Sequence, residues 1–280
     1  MDTTSATGRS ATDSTRPDGS AHRFRLGELT REELRRRLPS ATVVVPTGST
    51  EQHGQHLPLM TDSLMAETVA LRAAELAAAR ADVLVASLLP FGCSHHHLAV
   101  GGALTVTQRT YIAFLVDLAE SLARMGCRRL VLLNGHGGNE DPLRVVANEL
   151  VYERKLPMAV AAASYWTLGR EAVADGTGLP GPAPGHAGNF ETSCVLALRP
   201  DLVRLDDRFP ADELPRPLAA AGLVNGVPVR FPGIWEASAG VTDAAREASA
   251  DAGARAIDGI VRAAADFLVA FHAQPFPSAR

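Results

Sequence analysis

Cysteine is scarce. The three present in 280 residues (Cys93, Cys127 and Cys194) are odd in number, far apart and without a C-x-x-C pair. That excludes a disulfide framework and a thiolate zinc site, and it fits a reducing cytoplasm. Positive charge is not in excess: 27 Lys and Arg face 31 Asp and Glu, a net charge of -4. Such a chain has no basic field for nucleic acid or for an acidic membrane surface. Long apolar runs are missing too, each being broken by charge before the roughly 18 residues that a membrane helix needs. There is no G-x-G-x-x-G or P-loop spacing for a nucleotide, and no G-x-S-x-G elbow for a serine hydrolase. The first 22 residues contain no leucine, valine or isoleucine. Without the apolar centre of a secretion signal they read as a disordered tail, residues 1–22.

What is present is apolar and evenly spread. At 46% hydrophobic residues the chain can bury a large core, and residues 23–273 read as a single domain with a frayed end at 274–280. Thr30 to Glu33 fit a capping box, with Leu29 and Leu34 as its hydrophobic staple. "ATVVVP" from Ala41 is continuously apolar and β-branched, as a strand buried on both faces requires. Helix and strand then alternate. The pattern predicts helices over 63–79, 107–125, 142–154 and 243–272, and strands from Val83 ("VLVASLLP"), Arg129 ("RLVLLN") and Met158 ("MAVAAAS"). Alternation of this kind predicts an α/β fold with a mainly parallel sheet covered by helices.

In such sheets ligands gather beyond the carboxyl ends of the strands. The three loops there read "TGSTEQHG", "FGCSHHH" and "GHGGNE", and they hold five of the nine histidines. Glu51 and His53 have the i, i+2 spacing that puts both side chains on one face of an extended segment, and Asp62 adds a carboxylate. Mixed imidazole and carboxylate donors suit Zn, Mn, Fe or Co. A solvated turn is the alternative for Glu51 and His53, and a phosphate-cradling loop for "NGHGGN" around His136. In "GHAGNFETS", Glu191 could cap a helix beside His186. Carboxylates and imidazoles gathered at one rim are best explained together, as a metal site. Cys194, in the apolar "CVLALRP", reads as a buried thiol and not as a nucleophile.

In that order and at those separations, "GSTEQHGQHLPLMTD", "NGHGGN" and "HAGNFETS" resemble the creatininase (creatinine amidohydrolase) family, from about Phe24 to the last helix. "GCSHHH" and "SYW" at Ser164 add to the likeness. The resemblance implies a three-layer α/β/α sandwich with a mainly parallel central sheet. It also implies two divalent metal ions per chain (Zn and/or Mn, with Fe or Co possible), hydrolysis of C–N amide bonds, and a homo-oligomer, often a hexamer. By motif, Glu51, His53, Asp62 and His136 match ligand positions, with Asp62 bridging. Creatininases proper carry a glutamate two residues after the His136 position. Here that residue is Gly138, and likeness to members with "HGGN" implies that Glu191 supplies the missing carboxylate.

The expected chemistry is attack by a metal-bridging hydroxide on an amide carbonyl, with a protonated His186 donating to the leaving nitrogen. His186 and Glu191 are thus the candidate catalytic residues. His56 is expected to orient a ligand, and His56, His96, His97 and Trp166 to border the substrate pocket. Gly102–Ala103 and Glu236, where the family differs, imply a reshaped pocket, and residues 176–185 a mobile flap. Expected substrates are a cyclic amide, a formamide or a short peptide. Relatives with this pattern include a mycofactocin-precursor peptidase. A metal-binding scaffold without turnover is the competing reading.

Overall fold

The computed structural model describes residues 24–171, 178, 183–207, 223–224 and 227–276. The expected N-terminal tail, most of the flap and residues 277–280 lie outside them. Helix α1 (Arg31–Arg37) starts at the expected capping box: Glu33 N donates to Thr30 Oγ1 at 3.3 Å, and Thr30 N donates to Glu33 Oε2 at 2.7 Å. Next come β1 (Thr42–Thr47), α2 (Thr61–Ala77), β2 (Val83–Val85), α3 (Gln108–Arg124), β3 (Arg129–Asn134), α4 (Glu140–Asn148) and β4 (Ala159–Ser164). Beyond them lie α5 (Tyr165–Leu168), α6 (Asn189–Leu198), the small hairpin β5 (Leu223–Val224) and β6 (Val227–Pro228), α7 (Ile234–Ala237) and α8 (Ala250–Ala273).

The main sheet has the order β2-β1-β3-β4 with every pairing parallel. Side chains alternate across it, as strand geometry demands. Val44, Val83, Val85, Val131 and Leu133 face one way, into a core shared with α2, α6 and α8. Val43, Val45, Leu84, Leu130 and Leu132 face the other way, against α3 and α4. Helices therefore cover both faces, and the result is a three-layer sandwich. The chain leaves β1 for α2 on one face and β3 for α4 on the other. That divergence opens a crevice at the carboxyl ends of these two neighbouring strands.

Three local expectations need correction. The second strand stops at Val85, because the ladder breaks and resumes only at Leu89, whose N–H donates to Pro46 O at 3.0 Å. The fourth helix starts at Glu140 and is α-helical only to Asn148. A π-helical turn over Glu149–Glu153 follows it. The last helix starts at Ala250 and not near Asp243, since Asp243 is held on Asn189 N at 3.2 Å and Ser249 caps the helix through Ala252 N at 3.3 Å. Beyond this helix the Arg129 guanidinium stacks over the ring of Phe276 at 4.8 Å. Among the described residues no helix is long and apolar enough to cross a membrane.

Candidate metal centre

The three histidine-bearing loops are stapled together by one side chain. Asn139 Nδ2 donates to Gly48 O at 3.0 Å, and its Oδ1 accepts from Cys93 N at 2.9 Å. The loops after β1, β2 and β3 therefore meet. Asn134, the last residue of β3, shapes the turn that follows by accepting from His136 N at 3.0 Å and donating to His136 O at 2.7 Å. Gly138 presses against this junction: a Cβ there would stand 2.2 Å from Cys93 O and 2.6 Å from His136 Nε2. No side chain fits at that position, so a carboxylate must come from elsewhere.

It comes from α6. Two groups of buried donors share Asp62, namely Glu51, Asp62 and His136, and His53, Asp62 and Glu191. Asp62 Oδ2 lies 2.9 Å from His136 Nδ1, which is also 3.1 Å from Glu51 Oε1. Asp62 Oδ1 lies 3.1 Å from His53 Nε2, with Glu191 Oε2 at 3.7 Å from the same nitrogen. Each imidazole is aimed by its other nitrogen: His53 Nδ1 meets Glu51 O at 3.1 Å, and His136 Nε2 meets Cys93 O at 3.3 Å. Both rings thus turn toward the carboxylates the nitrogen that could ligate once its proton is lost, as metal-binding histidines do. Ala187, held at φ 57°, donates its N–H to Glu191 Oε2 at 2.6 Å and fixes that arm.

The donor set fits a divalent ion. Both oxygens of Glu51, together with Asp62 Oδ2, are buried without a hydrogen-bond partner, which is costly unless a cation compensates. In the chain alone, protons do that work. Burial disfavours a charged His53, but Asp62, Glu191 and Glu51 outweigh it and raise the ring to about 10. His136 also rises well above its ordinary value, burial being outweighed by Glu51 and Asp62. Glu51 falls well below the usual range: burial opposes this, and His136 and His97 prevail. Burial lifts Glu191 to about 8, aided by Asp62 and opposed by His53 and the Ala187 N–H.

The other expected residues take distinct places. His186 meets Gln52 O through Nε2 at 2.8 Å, and its Nδ1 stands 3.7 Å from Glu51 Oε1. Burial first, then the charges of His53 and His97, hold it well below its ordinary value. A standing imidazolium, as the donor role requires, is therefore disfavoured. His56 does not line the cavity; its Nε2 lies 2.8 Å from Thr192 Oγ1 on α6, one residue beyond Glu191. His97 Nε2 is 3.2 Å from Glu51 Oε1. His96 stacks on His136 at 5.6 Å, and burial with its cationic neighbours lowers it to about 3. His96, His97 and Trp166 all border a cavity of about 980 Å³ whose floor includes Glu51, Asp62, His136 and Glu191.

Sequence reasoning missed Trp235 and Gln52. Trp235 packs on His97 at 4.5 Å, on His96 at 5.2 Å and on His186 at 5.4 Å. It carries no local motif beyond the tryptophan itself. Gln52 lies inside the most informative motif, but strand alternation assigns it to the face away from Glu51 and His53.

Comparison with known proteins agrees with this geometry. The chain is 34% identical to the mycofactocin precursor peptide peptidase of Mycobacterium tuberculosis over 72% of its own length and 75% of the relative's. It is 34% identical to creatinine amidohydrolase of Pseudomonas putida over 65% of its length and 74% of the relative's. The crystal structure of creatinine amidohydrolase (creatininase) superposes with a TM-score of 0.71 at 29% identity, covering 90% of this chain and 99% of that one. A manganese creatininase superposes at 0.69 with 30% identity and a Zn-Zn mutant creatininase at 0.68 with 30%, each covering 87% of this chain and 96% of the other. The family model described as creatinine amidohydrolase matches residues 27–268. The chain belongs to the creatininase family.

Proposed function

We propose that this protein hydrolyses a C–N amide bond with two divalent ions, zinc or manganese, one held by Glu51, Asp62 and His136 and the other by His53, Asp62 and Glu191. The observation that carries this reading is the position of Asp62, which turns one oxygen to each donor group. Bound ions would polarise the amide carbonyl and render a water acidic enough to act near neutral pH. The chain supplies the rest. The backbone contacts of His53 and His136 fix which ring nitrogen faces the carboxylates, so the donors are pre-aimed. His186, neutral and open at Nδ1, would accept a proton from the attacking water and return it to the leaving nitrogen. This replaces donation from a standing imidazolium. Trp235, over His97 and His186, would keep bulk water from that exchange.

Cavity size favours one substrate class. About 980 Å³ is at the upper end of the roughly 300–1,000 Å³ common for ligand pockets, far more than a small cyclic amide occupies. Arg109, Arg230, Trp166 and Phe231 add cationic and aromatic walls. A short peptide segment is the substrate best supported, in line with the peptidase relatives. A small cyclic amide is the second reading, supported by the likeness to creatinine amidohydrolase. We further propose one domain over residues 23–273, a cytoplasmic location and a homo-oligomer. Exposed apolar side chains on the loops after β1 and β2 (Leu59, Met60, Phe91, Leu98, Val100 and Leu104) support self-association.

The test is metal content per chain after growth with zinc and manganese, followed by turnover of peptides and of creatinine by the loaded protein. Two ions in the wild type and one in Glu191→Gln are expected, with peptides cleaved and creatinine spared. A wild-type chain with no ion, or one that keeps both ions without Glu191, would overturn the assignment. A loaded chain without turnover of any amide would leave a metal-binding scaffold.

A further inference from the structure

Gln52 makes more contacts with the site than any motif would suggest. Its Oε1 accepts from Gly54 N at 2.9 Å, and its Nε2 lies 2.8 Å from Gly240 O. An N–H must donate and a carbonyl must accept, so these two contacts settle which end of the amide is which. One hydrogen on Nε2 goes to Gly240 O and one remains. Two imidazole nitrogens compete for it, His97 Nδ1 at 2.9 Å and His186 Nε2 at 3.1 Å. His186 Nε2 also lies 2.8 Å from Gln52 O, which can only accept, so this nitrogen carries a proton and cannot accept from the amide. The remaining hydrogen must go to His97 Nδ1.

We infer that Gln52 is a positioning residue that fixes the tautomers of two site histidines, making His97 an N–H donor and leaving His186 a bare nitrogen toward the cluster. With Nδ1 accepting, His97 holds its proton on Nε2, the atom 3.2 Å from Glu51 Oε1. By distance alone, Glu51, His96 and His97 form another group able to hold an ion. The donor pattern removes His97 from it, because a protonated nitrogen cannot ligate. His97 instead turns its N–H toward the Glu51 side of the cavity, 3.2 Å from Oε1, without completing a hydrogen bond there. His186, protonated on Nε2, keeps Nδ1 open toward Glu51. The arrangement depends on the segment opposite: Gly240, at φ 80°, lies so close that a Cβ would stand 2.5 Å from Gln52 Nε2. Residues 238–242 thereby press the amide into place.

The test is nitrogen-15 NMR of histidine-labelled full-length protein, metal-free and loaded with zinc. Because His96 and His186 also lie within 5.4 Å of Trp235, the His97 signals are identified by their loss in His97→Asn. The expected spectrum has His97 protonated on Nε2 and unprotonated on Nδ1 in both states. In Gln52→Glu the carboxylate can only accept, so the His97 proton should move to Nδ1. A wild-type His97 protonated on Nδ1, or one whose Nε2 proton is lost on zinc loading, overturns the inference. So does an unchanged tautomer in a folded Gln52→Glu. The metal-free wild-type spectrum decides even if that variant fails to fold. Because it needs no metal, its outcome is separate from that of the hydrolase assignment.

Discussion

Gly188 and Asp243 are packed so tightly that a Cβ on the glycine would fall 1.9 Å from Oδ2 of the aspartate. The aspartate accepts from Asn189 N at 3.2 Å, at the start of the helix that carries Glu191. Gly188→Ala must expel it, uncapping α6 and shifting a metal-site arm. A loss of at least about 2 kcal/mol is expected, read by urea unfolding, together with lower metal content. Wild-type stability in the variant would mean that the aspartate is dispensable.

Asp243 should also leave a mark on the pH dependence of stability. Burial raises its carboxyl from 3.8 to about 6, against hydrogen bonds from Thr242 and Asn189 that lower it. A folded value above the unfolded one means that the native state binds the proton more tightly. That stabilisation is complete below about pH 4 and lost as pH rises through about 6. Asparagine has no such dependence. The stability of Asp243→Asn relative to wild type should therefore rise with pH across that window, by at most about 1.4 kcal/mol per unit. A flat difference would show an ordinary carboxyl.

Metal loading should release protons. His53, raised to about 10, and His136, also raised, are protonated at neutral pH in the metal-free chain, and a ligating imidazole must be neutral. Affinity for zinc should therefore climb between pH 6 and 8. The calorimetric heat should differ between buffers of unlike ionisation enthalpy, and identical heats would contradict the protonated cluster. Chelation should lower the unfolding free energy by ~2.7 kcal/mol per site where the free ion had stood at 100 times its Kd.

Gly138 cannot be restored to the glutamate of other family members. A Cβ meets Cys93 O at 2.2 Å, so even Gly138→Ala should cost about 1–3 kcal/mol through overpacking and turn His136 off its partners. Thermal unfolding and metal content of the two variants read this directly. A Gly138→Glu chain that folds normally and tolerates loss of Glu191 would refute it.

Much of the fold could be read from the letters, because burial on both faces leaves a blunt signature. "TVVVPT" and "RLVLLN" have few other uses, and β1 and β3 lie where they were expected. The candidate donors, which the structure does gather, stood out for a related reason: strand-end loops have no packing need for buried glutamate and histidine. What could not be read depended on partners far along the chain. "TDAAREASADAGA" has helical composition, yet Asp243 is anchored on Asn189 and the helix waits until Ala250. Gln52 meets residues 134 and 188 positions away, His186 and Gly240, and no local period encodes that. That His186 rests neutral and not as an imidazolium could not be read either, since burial and neighbouring charge are not visible in a motif.

The floor of the cavity comes from the ends of neighbouring strands and the start of α6, whereas Phe231, Ile234 and Trp235 reach it from a stretch that contributes to neither donor group. Heredity can therefore act on the two separately. Substitutions across residues 229–237 are expected to alter which molecule fits while leaving the donors in place, whereas a substitution in the floor is expected to disturb the donors themselves. Fit and chemistry are thus carried by separate stretches of the chain, so that one can drift without the other.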